Sequence, residues 1–193
     1  MLSPDLKKFL KPMVRIMTII WGAFMSATVI YVFIAWIMFG QTEQAVADAE
    51  AALPAPIAPI LGVVAFLVIL ASIFVERWWF SGAKIMAKFG ETPTVDRFVT
   101  GQTTGSPSRA LYDRQPDSEQ KLACLVPYFQ TGMIIIWAMR EAVAILGLVG
   151  AIVTSDFMVV VPFGVGALAF LAIKMPRPVA FLAQVRRLPG AIS

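Results

Sequence analysis

The chain has 193 residues, of which 59% are apolar and only 15% charged, and its mean hydropathy is +0.78. A water-soluble domain carries roughly a quarter charged residues, and here the apolar excess is gathered in long runs nearly free of charge, which excludes a soluble globule. There is no histidine and a single cysteine, Cys124, so intramolecular disulfides, thiolate or imidazole zinc sites and histidine-held haem are excluded; no metal or cofactor is expected.

Four apolar stretches come close to the roughly 20 residues that cross about 30 Å of hydrocarbon as helix. They cover about 16–39, 57–80, 130–153 and 157–173. The first is uncharged and follows a basic start. Ala45-Val46-Ala47 resembles a signal-peptide cleavage site, but an apolar run of about 24 residues exceeds the usual 7–15 of a signal peptide. It reads as a retained helix. The second begins after the prolines at 54, 56 and 59 and ends in Trp78, Trp79 and Phe80, an interfacial aromatic belt. The third follows Pro127 and is interrupted by Arg140 and Glu141. The fourth is short and stops at Lys174, before Pro176. None shows the alternation of barrel strands. The expected fold class is therefore all-α, a polytopic membrane protein, with residues 1–193 forming a single four-helix transmembrane domain.

The connections are small. Residues 41–53, rich in alanine and acid, suit a short outer helix. The connection at about 81–122 reads as a cytoplasmic loop, of which 90–121 is either a solvated linker or a segment ordered by a partner. After Pro178, Val179, Leu182 and Val185 share one helical side next to Arg186 and Arg187, which suits a short helix lying on the inner membrane face.

Lysine and arginine counts set the direction. Of the 16 basic residues, 15 fall in the N-terminal flank, the middle connection and the C-terminal tail; the sixteenth, Arg140, is inside a span. The other two connections carry only Glu43, Asp48, Glu50 and Asp156. Both termini are expected in the cytoplasm, most naturally of a bacterium with the spans in its inner membrane. The net charge of +4 is then a topological signal, and no nucleic-acid partner is expected.

An ionisable residue within a span is a functional hypothesis by default. Glu76-Arg77 on the second helix and Arg140-Glu141 on the third are expected at nearly the same depth, about 6–10 Å inside the inner boundary for the latter pair. Opposite charges paired in a low-dielectric layer cost much less than lone ones. Glu76, Arg77, Arg140 and Glu141 are thus expected to form an intramembrane charge cluster that fixes the packing of helices two and three, with Arg77 and Arg140 snorkelling inward. Small residues four apart, Gly22 with Ser26 and Gly147 with Ala151, together with Gly150, are expected to let helices pack closely.

The run from Glu141 through Ala142-Val143-Ala144-Ile145-Leu146-Gly147-Leu148-Val149 resembles the carboxylate-bearing helix of rotary ATPase proteolipid c subunits. The resemblance covers about 15 residues. It implies ion translocation with Glu141 carrying the proton or sodium ion. The chain is also similar to little-characterised four-span bacterial membrane proteins, whose first helix starts in the manner of Trp21-Gly22-Ala23. It departs from the proteolipids in having only Gly62 on its second helix and a long middle connection. Arg140, directly before the carboxylate, is expected to oppose its reversible protonation.

A nucleophile needs an activating base, and without histidine the usual one is missing; no glycine-rich phosphate loop occurs either. The chain is not expected to be an enzyme. The expected function is a non-catalytic integral membrane subunit that stabilises or helps assemble a larger complex, with the lipid bilayer and other membrane subunits, or a second copy, as partners. The alternatives are an ion-translocating subunit using Glu141 and a small carrier or lipid-handling protein.

Overall fold

The computed structural model describes residues 3–40, 57–90, 113–114 and 116–188, and among these every regular element is a helix. The chain runs α1 (Pro4–Phe39), α2 (Ile57–Trp79), α3 (Gly82–Gly90), α4 (Asp117–Thr154), α5 (Phe157–Ile173) and α6 (Pro178–Val185). Three helices are long and apolar enough to cross a membrane: α1, α2 from Pro59 onward, and α4 from Ser118 onward. Taking α5 and α6 together as one broken span makes up to four. The expected outer helix at 41–53 and residues 91–112 of the middle connection lie outside the described residues.

Two helices start earlier than the apolar runs suggest, and the reason is amphipathic spacing. Leu6, Phe9, Leu10 and Met13 recur at helical intervals, with Lys7, Lys8 and Lys11 exposed between them, so α1 begins at Pro4 rather than near Ile16. Ser3 caps it, its hydroxyl oxygen accepting from the Leu6 amide at 3.1 Å. Pro4 fits the first turn, where its missing N–H costs nothing. In the same way Leu122, Leu125, Val126 and Phe129 carry α4 back to Asp117, inside the expected loop.

The chain divides into two compact units. The first comprises the described residues within 1–18, 77–133 and 176–193. Its core joins Leu6, Phe9 and Leu10 of α1, Ile85 of α3, Leu122, Ala123, Leu125 and Val126 of α4, and Leu182 and Val185 of α6. Phe80, Phe129 and Phe181 pack on one another, the closest pair with centroids 4.6 Å apart. The α6 helix forms as its sequence suggests, but Leu182 and Val185 are buried against protein, while Val179 is exposed. Its apolar side is used by the core of this unit. Glu119, itself buried, accepts from the Ser3 amide at 3.1 Å and from the Ser3 hydroxyl, tying α4 to the start of α1.

The second unit comprises the described residues within 19–76 and 134–175. Its helices meet through small side chains: Ala65, Ala144 and Ala167 with Val143 in one cluster, Ala35 and Ala151 with Val160 in another. Without hydrophobic driving force between helices in lipid, such close approach supplies the packing energy. A Cβ on Gly147 would lie 2.5 Å from Phe163 Cβ, one on Gly150 would lie 2.9 Å from Val159 Cγ1, and one on Gly164 would lie 2.5 Å from Val32 Cγ2. At Gly147 the obstruction is an atom fixed to the backbone; at Gly150 and Gly164 it is a side-chain end that would have to shift. Between α4 and α5 the chain turns on Ser155, whose φ of 53° is in the left-handed region, and Asp156 caps α5 by accepting from the Met158 amide at 2.8 Å.

Candidate functional site

Three charged side chains of the second unit, Glu76, Arg140 and Lys174, gather at the end of α5. A helix that stops leaves its last carbonyls without intrahelical donors, and in an apolar layer that deficit is costly. Pro176 and Pro178 follow α5 closely, and Lys174 closes it with its amide donating to the Leu171 carbonyl at 3.2 Å. Three side chains supply further donors there. Arg140 Nη1 donates to the Phe170 carbonyl at 2.9 Å, Trp21 Nε1 to the Leu171 carbonyl at 3.0 Å, and Trp137 Nε1 to the Lys174 carbonyl at 3.2 Å. Trp137 is fully buried, with Phe24 packed against its ring at 6.2 Å.

Glu76 completes the arrangement. Its Oε2 accepts from Arg140 Nη2 at 2.9 Å, and its Oε1 accepts from Lys174 Nζ at 2.5 Å. Arg140 is only 3% exposed, Glu76 23% and Lys174 41%. One carboxylate thus faces two cations, joining α2 to α4 and to the end of α5. The positive partners also sit at a helix C-terminus, where the helix dipole favours cations. Arg140 Nε is the one buried side-chain donor without a partner among the described residues.

Of the four charges singled out in the sequence, Glu76 and Arg140 are paired with each other. Glu141 is engaged elsewhere: Tyr31 of α1 donates its hydroxyl proton to Glu141 Oε1 at 3.0 Å. Arg77 is exposed in the last turn of α2 and has no ion pair or hydrogen bond among the described residues. Arg140 does not turn to its neighbour Glu141. The physical reason is that adjacent helical residues point about 100° apart, so each reaches a different helix.

Lys174 and Tyr31 were missed in the sequence. Lys174 is indistinguishable there from the flanking positive charge that ends a span. Tyr31 stands in an aromatic stretch that signals lipid contact. The three tryptophan and arginine donors to α5 carry one legible hint, a span that stops at two prolines with no glycine to cap it.

The small residues divide as well. Gly147 and Gly150 are close-approach positions, and Ala151 is fully buried, all on α4. Gly22 has nothing within 4 Å of where a Cβ would stand, and Ser26 is exposed. Cys124 is half-buried on α4.

Outside this bundle, Trp79 and Tyr128 of the first unit stack at 5.4 Å and exchange hydrogen bonds. Trp79 Nε1 donates to the Tyr128 carbonyl at 3.4 Å, and the Tyr128 hydroxyl donates to the Trp79 carbonyl at 2.5 Å. No group of three or more cysteine or acidic side chains that would suit a metal occurs among the described residues.

No protein-family model matches the chain, and neither a similar curated protein nor a similar solved structure was found.

Proposed function

We propose that the chain is a non-catalytic integral membrane subunit of four spans, both termini on the cytoplasmic side of a bacterial inner membrane, which stabilises or helps assemble a larger membrane complex. The observation that carries this reading is the use made of Glu76. Its carboxylate is taken up by Arg140 and Lys174, and Arg140 in turn satisfies a carbonyl at the end of α5. These charges hold helices together, which is the work of a scaffold. Outward faces of α1 and α2 are apolar, with Ile19, Phe33, Val63, Phe66 and Phe74 exposed, as suits lipid or another membrane helix. Extraction in a mild detergent followed by native mass determination tests the reading. A discrete complex with different co-purifying subunits supports it; a lone monomer or a ring of identical copies overturns it.

A second reading, ion translocation through Glu141, gains from one observation. Arg140 is committed to Glu76 and Phe170, so the Glu141 carboxylate keeps only the Tyr31 hydroxyl as partner among the described residues. A carboxyl-reactive carbodiimide tests it. Labelling of Glu141 that rises with acidity and is blocked by sodium supports translocation, and its absence removes the reading.

A further inference from the structure

A cavity of about 350 Å³ opens within the first unit beside the end of α2, lined by Trp78, Trp79, Lys84, Ala87, Lys88 and Tyr128. That volume falls in the range of small-molecule sites. Its walls are fixed by the hydrogen bonds and stacking between Trp79 and Tyr128. Gly132 makes room for the Trp79 indole, since a Cβ there would lie 2.7 Å from its ring. Lys84 and Lys88 stand four apart on α3 and so share a helix face. Lys84 Nζ lies over the Trp78 ring, 2.6 Å from its centroid.

The combination selects its ligand by chemistry. Two ammonium groups offer point charges for a phosphate. Two indoles at the end of α2, a helix long and apolar enough to cross a membrane, with Tyr128 of α4 stacked on one of them, offer a surface of the kind found at headgroup level. A free phosphate has no use for the aromatic wall, and a zwitterionic lipid sets its own cation against the lysines. We infer that this cavity holds the phosphate of an anionic phospholipid, with Lys84 and Lys88 on the phosphate and Trp78, Trp79 and Tyr128 against the glycerol and first acyl carbons. The site requires that the protein sit in a membrane, but neither a partner subunit nor a given orientation.

The test uses the full-length protein, delipidated in neutral detergent and titrated with short-chain phosphatidylglycerol, with phosphatidylcholine, or with inorganic phosphate, while native mass spectra count the bound molecules. A basic residue near an anionic lipid surface contributes about a fivefold gain in affinity, so phosphatidylglycerol should be preferred over phosphatidylcholine by roughly twenty- to thirtyfold. Lys84→Gln with Lys88→Gln should abolish that preference. Arg186→Gln with Arg187→Gln should leave it intact. Equal retention of both lipids, or selectivity that survives the Lys84/Lys88 double variant, overturns the proposal. Lysine-dependent binding of inorganic phosphate as tight as that of the lipid reassigns the cavity to a free phosphate and also overturns it. Because the Lys84/Lys88 variant alters exposed or half-buried side chains, its thermal unfolding in lipid-free detergent should match the parent, which separates lost binding from lost folding. A discrete multi-subunit complex in the native mass experiment is independent of every one of these outcomes.

Discussion

Glu76 on α2 and Arg140 on α4 are joined by a 2.9 Å ion pair in which the arginine is almost wholly buried. The pair does not stand alone, because Lys174 shares the same carboxylate and Arg140 also serves the Phe170 carbonyl. Removing the carboxylate therefore strands a buried guanidinium, whereas removing both leaves only the partly exposed Lys174 without its carboxylate and the Phe170 carbonyl without this donor. Glu76→Ala should cost about 3–5 kcal/mol. Lys174→Ala should cost much less, since Lys174 is 41% exposed and solvent screens it. Thermal unfolding in detergent checks the order. With Glu76→Leu and Arg140→Leu also measured singly, the double variant should lose less than the sum of the two; a loss equal to that sum would show that the pair carries no coupling.

Glu141 behaves differently. Its partner is the Tyr31 hydroxyl, a donor that a glutamine carbonyl also accepts, though less strongly than a carboxylate. Glu141→Gln should shift stability by under about 1 kcal/mol, and Tyr31→Phe by roughly 0.5–1.5 kcal/mol. A loss for Glu141→Gln comparable to that of Glu76→Ala would place Glu141 in the load of the charge cluster after all.

The contrast between these two carboxylates marks where the sequence is legible. Long uncharged runs make the apolar helices plain, because a charge at the bilayer centre is too costly to be incidental. Depth counting puts Glu76 and Arg140 at one level, and the structure joins them. The partner of Glu141 is not legible. Rotation about the helix axis decides which neighbour a side chain meets, and nothing in the apolar composition of α4 fixes that rotation. Lys174 is hidden for another reason, since flanking lysines are ordinarily explained by topology alone. The first unit is obscured in the same way. Counting charges in residues 4–15 and 117–129 draws attention to the lysines, although Leu6, Phe9 and Leu10 with Leu122, Leu125 and Val126 already show core-facing spacing.

Glycines on α4 and α1 should respond oppositely to alanine. At Gly147 the new Cβ meets Phe163 Cβ, an atom fixed near the backbone, so Gly147→Ala should cost about 1–3 kcal/mol through overpacking. At Gly22 the space is open, and alanine should gain up to about 1 kcal/mol of helix propensity. Unfolding midpoints of the two single variants decide it; a destabilised Gly22→Ala would show that this face of α1 is covered in the membrane.

The end of α5 offers a further check. Trp21→Phe and Trp137→Phe keep most of the ring but remove the donor to the Leu171 and Lys174 carbonyls. Trp137→Phe should cost roughly 1–3 kcal/mol, the penalty for an acceptor left unpaired, and Trp21→Phe about 0.5–1.5 kcal/mol, since the Leu171 carbonyl keeps the Lys174 amide. Hydrogen exchange at the α5 amides is the direct readout, and fraying should begin at its C-terminal turn. Unchanged exchange there would remove the tryptophans from the role of caps.

Everything in the functional reading depends on how the helices cross the membrane, and reporter fusions measure that most directly. A periplasm-active reporter and a cytoplasm-active reporter are each placed after Gln44, Ser106 and Ser193 in the otherwise intact chain. Four spans with both termini inside predict periplasmic activity at Gln44 alone and cytoplasmic activity at Ser106 and Ser193. Periplasmic activity at Ser106, or opposite sides for Ser106 and Ser193, would contradict the four-span arrangement and with it the proposed integral subunit.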